Sequence, residues 1–266
     1  MKNLIYSSNK VDFDTIEKLE TPAPMGTRHV PIPHAELIDL ARTSLEENGF
    51  TVEQEEHGLS EHEMNCFSGF AISKPDFKSD ERKLVMGLRN SHNQKFASSV
   101  AIGSTMMVCE NLCFSSDVKL ARKHTQNIFK DLPLVLNKAI GTIQKTWDLQ
   151  GQRIEAYKDT EIDEVSALNK LLKAGLIKST KIGDVFDLIE NGGLDVNGKK
   201  GAFSEFKGTI WNVYNAVTES YKHLTAQNLM HLPSMTMRVQ QTLDSFTRGN
   251  SIISNEDKKN AVVLPA

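Results

Sequence analysis

The sequence has little of several features that would identify a class of protein. Of its 266 residues only three are cysteines, and the N-terminus has no apolar stretch of the kind found in an export signal. No run approaches the roughly 18 apolar residues that a membrane span needs. A small, odd number of cysteines without an export signal predicts reduced thiols rather than disulfides. We therefore expect a cytoplasmic protein without a membrane partner.

The sequence also lacks a strong excess of charge of either sign. Its 31 basic and 34 acidic residues give a formal net charge of -3, so no bulk positive field favours nucleic acid. Binding to DNA would have to use a local basic patch. Apolar residues make up 39% and charged residues 24% of the chain, which is typical of a globular protein with a sizeable core.

Common catalytic and metal-binding motifs are missing as well. There is no GxxxxGK[ST] and no GxGxxG to hold a nucleotide. Cys66, Cys109 and Cys113 lack the paired C-x-x-C spacing of zinc sites, and Ser91 and His92 would point to opposite faces of a strand. The acidic stretch 53–63 is typical of a solvated turn. We therefore predict no catalytic residues, no metal and no cofactor.

The pattern of apolar residues predicts an α+β fold, an antiparallel β-meander packed on a long helix with a helical C-terminal half. We expect an N-terminal arm at 1–33, one domain at 34–250 and a flexible tail at 251–266. Within the domain, 34–116 would form a helix and the meander, and 117–250 would be mainly helical.

The predicted elements follow from local periodicity. HAELIDLARTSLEENGF has a helical apolar face and Gly49 at its end, where a left-handed cap belongs. The meander begins at Phe50, and alternation in its middle strands predicts one core face and one face partly in water, with Lys83 and Arg89 exposed together. The long helix would run from Asp117 to Gln150, kinked or broken at Pro133.

Two polar clusters interrupt the apolar strands, at 90–93 and at 109–111. A later helix places aromatic and hydrogen-bonding groups on one face, and buried polar groups must find partners. The pattern predicts one structural hydrogen-bonded network, with a ligand site as the alternative. Its members would be Asn90, Ser91, His92, Asn111, Trp211, Asn215, Thr218 and Glu219.

Three segments carry a resemblance to a known family. They are N-S-H-N at 90–93, V-C-E-N-L at 108–112 and T-I-W-N-V-Y-N-A-V-T-E-S-Y-K-H at 209–223. In that order they resemble the phage and plasmid proteins known as domain of unknown function 932, whose members show N-S-H-D-G, V-C-T-N and W-x-x-x-N-A-x-T-E. Asn93, Gln94 and Glu110 depart from that pattern. The resemblance implies a protein of a mobile element and assigns no reaction.

Helix, meander and long helix in this order are also similar in topology to single-strand annealing recombinases. Fold alone does not imply function, but a long helix crossing a meander can leave a groove for a phosphate backbone. Together with the family context and a set of basic residues, this leads us to expect a non-catalytic protein that binds single-stranded DNA in replication or recombination, as a homo-oligomer. The basic residues expected to contact DNA are Lys83, Arg89, Lys119, Arg122, Lys123 and Lys130.

Two alternatives remain open at this point. One is a protein-binding factor that inhibits a host defence system or redirects a host enzyme, and the other is a metal-dependent nuclease. A continuous positive groove would favour DNA binding. An apolar patch would favour the protein-binding factor, and a converging carboxylate cluster would favour the nuclease.

Overall fold

The computed structural model describes residues 3–6, 9–60, 62–122, 127–222 and 229–247, with the backbone alone over 115–122. The fold is α+β, as the sequence predicts. One antiparallel sheet has the strand order β1-β2-β3-β4-β5-β6, which is the order of the strands along the chain. The strands are β1 (Lys10–Val11), β2 (Thr51–Leu59), β3 (Asn65–Ser73), β4 (Arg82–Ser91), β5 (Ser98–Met106) and β6 (Leu112–Arg122).

Eight α-helices lie within the described residues, most of them in the C-terminal half. They are α1 (Phe13–Glu17), α2 (His34–Glu47), α3 (Ile128–Gly141), α4 (Ile143–Asp159), α5 (Glu164–Lys173), α6 (Ile182–Glu190), α7 (Ile210–Glu219) and α8 (Leu232–Leu243). None of these helices combines the length and the apolar character needed to cross a membrane. Helix α2 ends as predicted, because Gly49 adopts a φ of 77° that glycine tolerates without steric cost.

Both faces of the sheet are covered, so the prediction of one face partly in water is wrong. Leu84, Met86 and Leu88 belong to a buried cluster that also contains α2, α3 and the start of α4. Val85 on the opposite face belongs to a second cluster, formed with the C-terminal helices. Helices therefore sandwich the sheet.

Small residues on the second face let neighbouring groups approach the strands closely. A Cβ atom added at Gly87 would lie 2.6 Å from the ring of Phe114, and one at Gly69 would lie 3.2 Å from Ile5. The N-terminal residues Leu4 and Ile5 are accordingly buried against the sheet. A strand face of glycine and alanine thus serves as a packing surface, although its sequence looks less apolar than a core strand.

The predicted helix from Asp117 to Gln150 is wrong in its first part and in its break point. Residues up to Arg122 continue β6, where Lys119 pairs with Ala101 and Arg122 pairs with Ser98. The helical part is divided into α3 and α4 at Thr142, whose hydroxyl donates to the carbonyl of Ala139. Pro133 lies inside α3, which continues through it.

Candidate functional site

The first polar cluster fixes the segment before α2 to the end of β4. The amide of Asn90 donates to the carbonyl of Ile32 at 2.8 Å, and its oxygen accepts from the hydroxyl of Ser98 at 2.8 Å. His92 Nε2 donates to the same carbonyl of Ile32 at 2.6 Å. Ser91 donates to Asn93 at 2.8 Å. All four hydrogen bonds involve residues at the end of β4, at the start of β5 or in the loop between these two strands.

The imidazole of His92 stacks on that of His34, with ring centroids 3.9 Å apart and planes 3° from parallel. Asn90 Nδ2 lies 2.9 Å from His34 Nδ1, and His34 Nε2 lies 3.1 Å from the carbonyl of Glu63. An amide that donates to Nδ1 and a carbonyl that accepts from Nε2 together select the neutral Nε2–H tautomer of His34. Burial lowers the pKa of His92 below its ordinary value. The hydrogen bonds of His34 and the burial of His92 thus both favour the neutral form of the ring.

The second polar cluster joins the turn between β5 and β6 to helix α7. The Asn111 amide donates to the carbonyl of Asn215 at 3.2 Å and to the hydroxyl of Thr218 at 3.3 Å. The carboxylate of Glu110 accepts from the hydroxyl of Tyr6 at 2.7 Å. Glu110 itself has a φ of 56°, a left-handed conformation in which its side chain turns inward and is buried.

Helix α7 supplies the other side of this cluster. Trp211 is 1% exposed and stacks on Tyr214 with ring centroids 5.8 Å apart. Asn215 Nδ2 donates back to the carbonyl of Trp211 at 2.8 Å. The carboxylate of Glu219 pairs with Lys222 at 2.8 Å. The structure thus brings Asn111 together with Asn215 and Thr218, two of the four α7 residues named by the sequence.

The two polar clusters do not meet, and the prediction of a single network is wrong in this respect. Asn90, Ser91 and His92 lie where β4 ends and β5 begins, whereas Asn111 lies where β5 ends and β6 begins. Strand β5 separates these two ends by nine residues, or roughly 30 Å at about 3.3 Å per residue. In an antiparallel meander, consecutive turns lie at opposite ends of the sheet, and this geometry divides the predicted set into two.

Among the predicted DNA contacts whose side chains are described, Lys83 and Arg89 do not form the exposed pair expected from the sequence. Lys83 forms an ion pair with Glu53 at 2.9 Å. Arg89 was expected to be exposed, but its guanidinium donates to the carbonyl of Met230 at 3.0 Å and lies 4.8 Å from the ring centroid of Phe96. Burial lowers the pKa of Arg89. The exposed-face expectation fails because C-terminal residues cover this side of the sheet.

The remaining predicted DNA contacts divide between strand, helix and undescribed chain. Lys119 and Arg122 lie on strand β6 rather than on a helix. Lys123 lies outside the described residues. Lys130 is exposed in the first turn of α3, as its sequence position suggests.

The acidic stretch at 53–63 serves the N-terminal part of the fold. Glu56 accepts from the backbone amides of Leu4 and Ile5 at 2.9 and 2.7 Å. Glu55 pairs with Arg42. Burial opposes the charge of Glu55, but hydrogen bonds from His57 and Arg42 outweigh it and lower its pKa to about 2. Within the described residues, no group of three or more histidines, cysteines or carboxylates could hold a metal ion.

The three cysteines are free and buried. Burial raises the pKa of Cys66 to about 12 and that of Cys113 to about 11, and it raises that of Cys109 as well. The thiolate is the reactive form of cysteine. All three side chains are therefore protonated near neutral pH and act as small apolar groups of the core.

A cleft of about 370 Å³ opens beside the turn between β5 and β6. There the turn meets the end of α4 and the segment 202–206, so that two of the motif segments, 108–112 and 209–223, border it. Its lining residues are Asp80, Glu81, Met106, Met107, Val108, Lys158, Ala202, Phe203, Glu205, Phe206 and Trp211.

The inner surface of the cleft is apolar. Met106, Phe203 and Trp211 form a buried floor, in which the rings of Phe203 and Trp211 pack edge to face with centroids 6.1 Å apart. Met107 and Val108 project beside this floor and are 39% and 40% exposed. Large apolar side chains at a turn tip are unusual, because turns favour glycine, proline and short polar residues. This is the signal by which the sequence could have indicated the site.

The turn that carries Met107 and Val108 is held by the backbone. The amide of Met107 donates to the carbonyl of Glu81 at 2.8 Å, and the amide of Val196 donates to the carbonyl of Val108 at 2.9 Å. These bonds fix both apolar side chains at the cleft without using their side-chain atoms.

The rim of the cleft is acidic. Asp80, Glu81 and Glu205 are exposed around the opening. The ammonium of Lys158 lies between Glu81 and Glu155, at 2.9 and 3.1 Å. Burial opposes the charge of Lys158, but the hydrogen bonds to these two carboxylates prevail and raise its pKa. Because the cation is already paired, the lining retains an excess of negative charge.

Comparison with known proteins places the chain in a family without assigning an activity. No curated protein and no solved structure matches the chain. The sequence profile of the family described as Domain of unknown function (DUF932) matches residues 24–253, which include both polar clusters, the cleft and most of the described helices. The protein therefore belongs to the DUF932 family, as the three motif segments indicate.

Proposed function

We propose that this protein is a binding protein that holds an extended segment of a partner protein in the cleft between the β5–β6 turn, α4 and the segment 202–206. The partner segment would place an apolar side chain on the Trp211 floor and basic side chains against the rim. The observation that carries this proposal is the combination of an apolar floor with the exposed carboxylates of Asp80, Glu81 and Glu205.

The chemistry of the lining supports a protein partner. A volume of about 370 Å³ lies in the lower part of the range of ligand sites, about 300 to 1,000 Å³. Methionine adapts its shape to different apolar groups and is common at surfaces that bind varied peptides. Met106 and Met107 therefore suit an aliphatic or aromatic anchor rather than one rigid small molecule.

The charge of the rim favours a basic partner and disfavours a phosphate backbone. Acidic residues surrounding an apolar pocket attract lysine and arginine and speed association, whereas they repel nucleic acid. This chemistry agrees with the second function considered from the sequence, a factor that binds a host protein. The resemblance to phage and plasmid proteins supports a host protein as partner, a cytoplasmic location and a role without catalysis.

A selection from a displayed library of random peptides tests the proposal. We expect the folded protein to enrich peptides in which lysine or arginine lies within a few residues of leucine, valine, methionine or phenylalanine. Met107→Asp should lower the affinity for the selected peptides by about 10-fold or more, because burying one apolar anchor contributes roughly 1.5 to 3 kcal/mol to binding. Val165→Asp is the matched control, since Val165 is 54% exposed on α5 and is not part of the cleft lining.

Two results would contradict the peptide-binding proposal. One is a selection that enriches no sequence, or that enriches acidic peptides. The other is an equal loss of affinity in Met107→Asp and Val165→Asp, because an effect that does not depend on the cleft would reflect general surface chemistry. Thermal melts of both variants would show that each remains folded.

Single-stranded DNA is the second candidate ligand. The observation that favours it is the exposed Lys130 on α3, in the helix that follows the strand bearing Lys119 and Arg122. Affinity for a labelled oligonucleotide should fall with salt by a log-log slope of about -0.7 per phosphate contact. Replacing Lys119, Arg122 and Lys130 together by alanine should flatten that slope. Fluorescence anisotropy at increasing salt measures it, and no binding at low salt would refute this candidate.

A further inference from the structure

We propose that the C-terminal segment N-E-D-K-K-N-A-V-V-L-P-A, residues 255–266, is a ligand of the cleft in its own chain and competes there with the partner protein. This inference rests on the proposed function of the cleft. It assigns a form of regulation to the site, in which the protein carries a built-in competitor for its partner.

The C-terminal part of this segment matches the two parts of the cleft. Glu256 and Asp257 offset the charge of Lys258 and Lys259 over the whole segment, but the lysines lie nearer the apolar residues Val262, Val263 and Leu264, which follow within a few positions. A basic pair followed by an aliphatic run is the class of sequence that an acidic rim around an apolar floor would bind.

The segment can reach the cleft from the last described residue. The chain is described up to Thr247, just after a short 3-10 turn at Asp244–Phe246. The hydroxyl of Tyr157 donates to Asp244 at 2.7 Å, and the next residue of α4, Lys158, lines the cleft. The ten residues 248–257 could span about 33 Å when fully extended. This reach is ample for a site that begins one residue along α4 from the Asp244 contact.

Attachment makes even a weak contact effective. A ligand on a short flexible connection acts at an effective concentration of roughly millimolar. The segment would therefore occupy the cleft for much of the time even if its affinity as a free peptide were only about 0.1 mM. A partner would therefore have to bind the cleft more tightly than the attached segment does in order to displace it.

The experiment compares full-length chains that differ only in the segment or in the cleft. The probe is a fluorescent peptide with the sequence of residues 255–266, titrated with wild-type protein and with the full-length Val263→Asp/Leu264→Asp variant. The attached segment competes in the wild type but not in that variant. We expect the variant to bind the probe at least about 10-fold more tightly, as the effective concentration implies.

Two matched controls test whether the probe binds through the rim carboxylates and through its own lysines. Asp80→Lys/Glu205→Lys, combined with the segment variant, should weaken the probe about 10-fold or more, because these substitutions reverse the charge of the exposed rim without altering the floor. A probe with glutamates in place of Lys258 and Lys259 should not bind measurably to either chain.

The outcomes separate this inference from the proposed function. If wild type and segment variant bind the probe equally, or if library-selected peptides bind the cleft and the 255–266 probe does not, the inference is overturned and the proposed function stands. If neither the probe nor any selected peptide binds, the proposed function fails and the inference fails with it. Tighter binding by the segment variant that the rim substitutions abolish supports both.

Discussion

Replacing Asn111 by aspartate should destabilise the fold much more than replacing it by alanine. Asn111 is 1% exposed, and its amide donates to two oxygen atoms, the Asn215 carbonyl and the Thr218 hydroxyl. The alanine variant loses these two long hydrogen bonds. Thr218 still bonds to the carbonyl of Tyr214 at 2.9 Å, so this hydroxyl is not left without a partner. We expect a loss of about 1 to 3 kcal/mol.

The aspartate variant has the same shape but cannot donate when it is ionised. Its carboxylate would face the Asn215 carbonyl and the Thr218 hydroxyl from a buried position, where an uncompensated charge costs roughly 3 to 5 kcal/mol. Globular proteins have a total free energy of unfolding of about 5 to 15 kcal/mol, so this variant would be close to unfolding.

Urea unfolding followed by circular dichroism at several pH values measures both variants. The buried carboxyl of Asn111→Asp would have a raised pKa, so the folded state would bind its proton more tightly than the unfolded state. The extra destabilisation should therefore be complete only above that raised pKa and shrink as the pH falls below it. If Asn111→Asp is as stable as Asn111→Ala at neutral pH, the side chain does not donate as described and the reasoning is refuted.

Three further predictions concern burial at other positions. Trp211→Ala should lower the free energy of unfolding by about 3 to 5 kcal/mol, because it removes a large buried side chain from the floor of the cleft, and a melt within error of wild type would contradict this. Arg89→Ala should lower the melting temperature clearly, because the Arg89 guanidinium donates to the carbonyl of Met230 and packs near the ring of Phe96. Lys83→Ala should barely change it, because the ion pair of Lys83 is partly exposed. Equal melts would show that both are surface residues. His92→Gln should make the free energy of unfolding fall less steeply as the pH is lowered. The reason is that the pKa of His92 is lowered in the folded state, so its stabilisation is complete above the unfolded pKa of about 6.5 and is lost as the pH falls below that value. A slope of urea midpoint against pH that is the same in His92→Gln and in the wild type would count against the lowered pKa of His92.

The class of fold could be predicted from sequence because local periodicity determines it. Helix α2 has a regular apolar face and a terminal glycine, and the strands between 50 and 106 alternate or run apolar at strand length. These signals depend on neighbouring residues alone. The family could be recognised for a similar reason, since its motifs are short and occur in a fixed order.

The covering of the second sheet face could not be predicted, because it depends on residues far along the chain. Arg89 looks solvent-exposed in its strand, and only the fold brings the carbonyl of Met230, 141 residues later, to its guanidinium. The second half of strand β6, from Asp117 to Arg122, was missed since the alternation in D-V-K-L-A-R is short and adjoins a strongly helical segment. In both cases tertiary packing overrides the local pattern.

The candidate site likewise has one part that could be predicted from the sequence and one part that could not. The sequence indicated Asn111, Trp211, Asn215 and Thr218 as one group because buried polar residues on neighbouring turns need partners. The cleft was not predicted, since the floor residue Phe203 and the rim residues come from separate segments whose only shared property is their position in space.

The division of the core into two layers has a consequence for synthesis of the chain. The cluster on the first sheet face uses residues between Ile16 and Trp147, whereas the cluster on the second face needs residues up to Leu243. At roughly 5 to 20 residues per second, a ribosome takes about 4 to 17 s to add the 84 residues from 160 to 243. During this interval the nascent sheet would present Phe67, Val85 and the Gly87 surface to solvent. We expect chaperones to bind nascent chains at this stage, and truncations before α5 to aggregate.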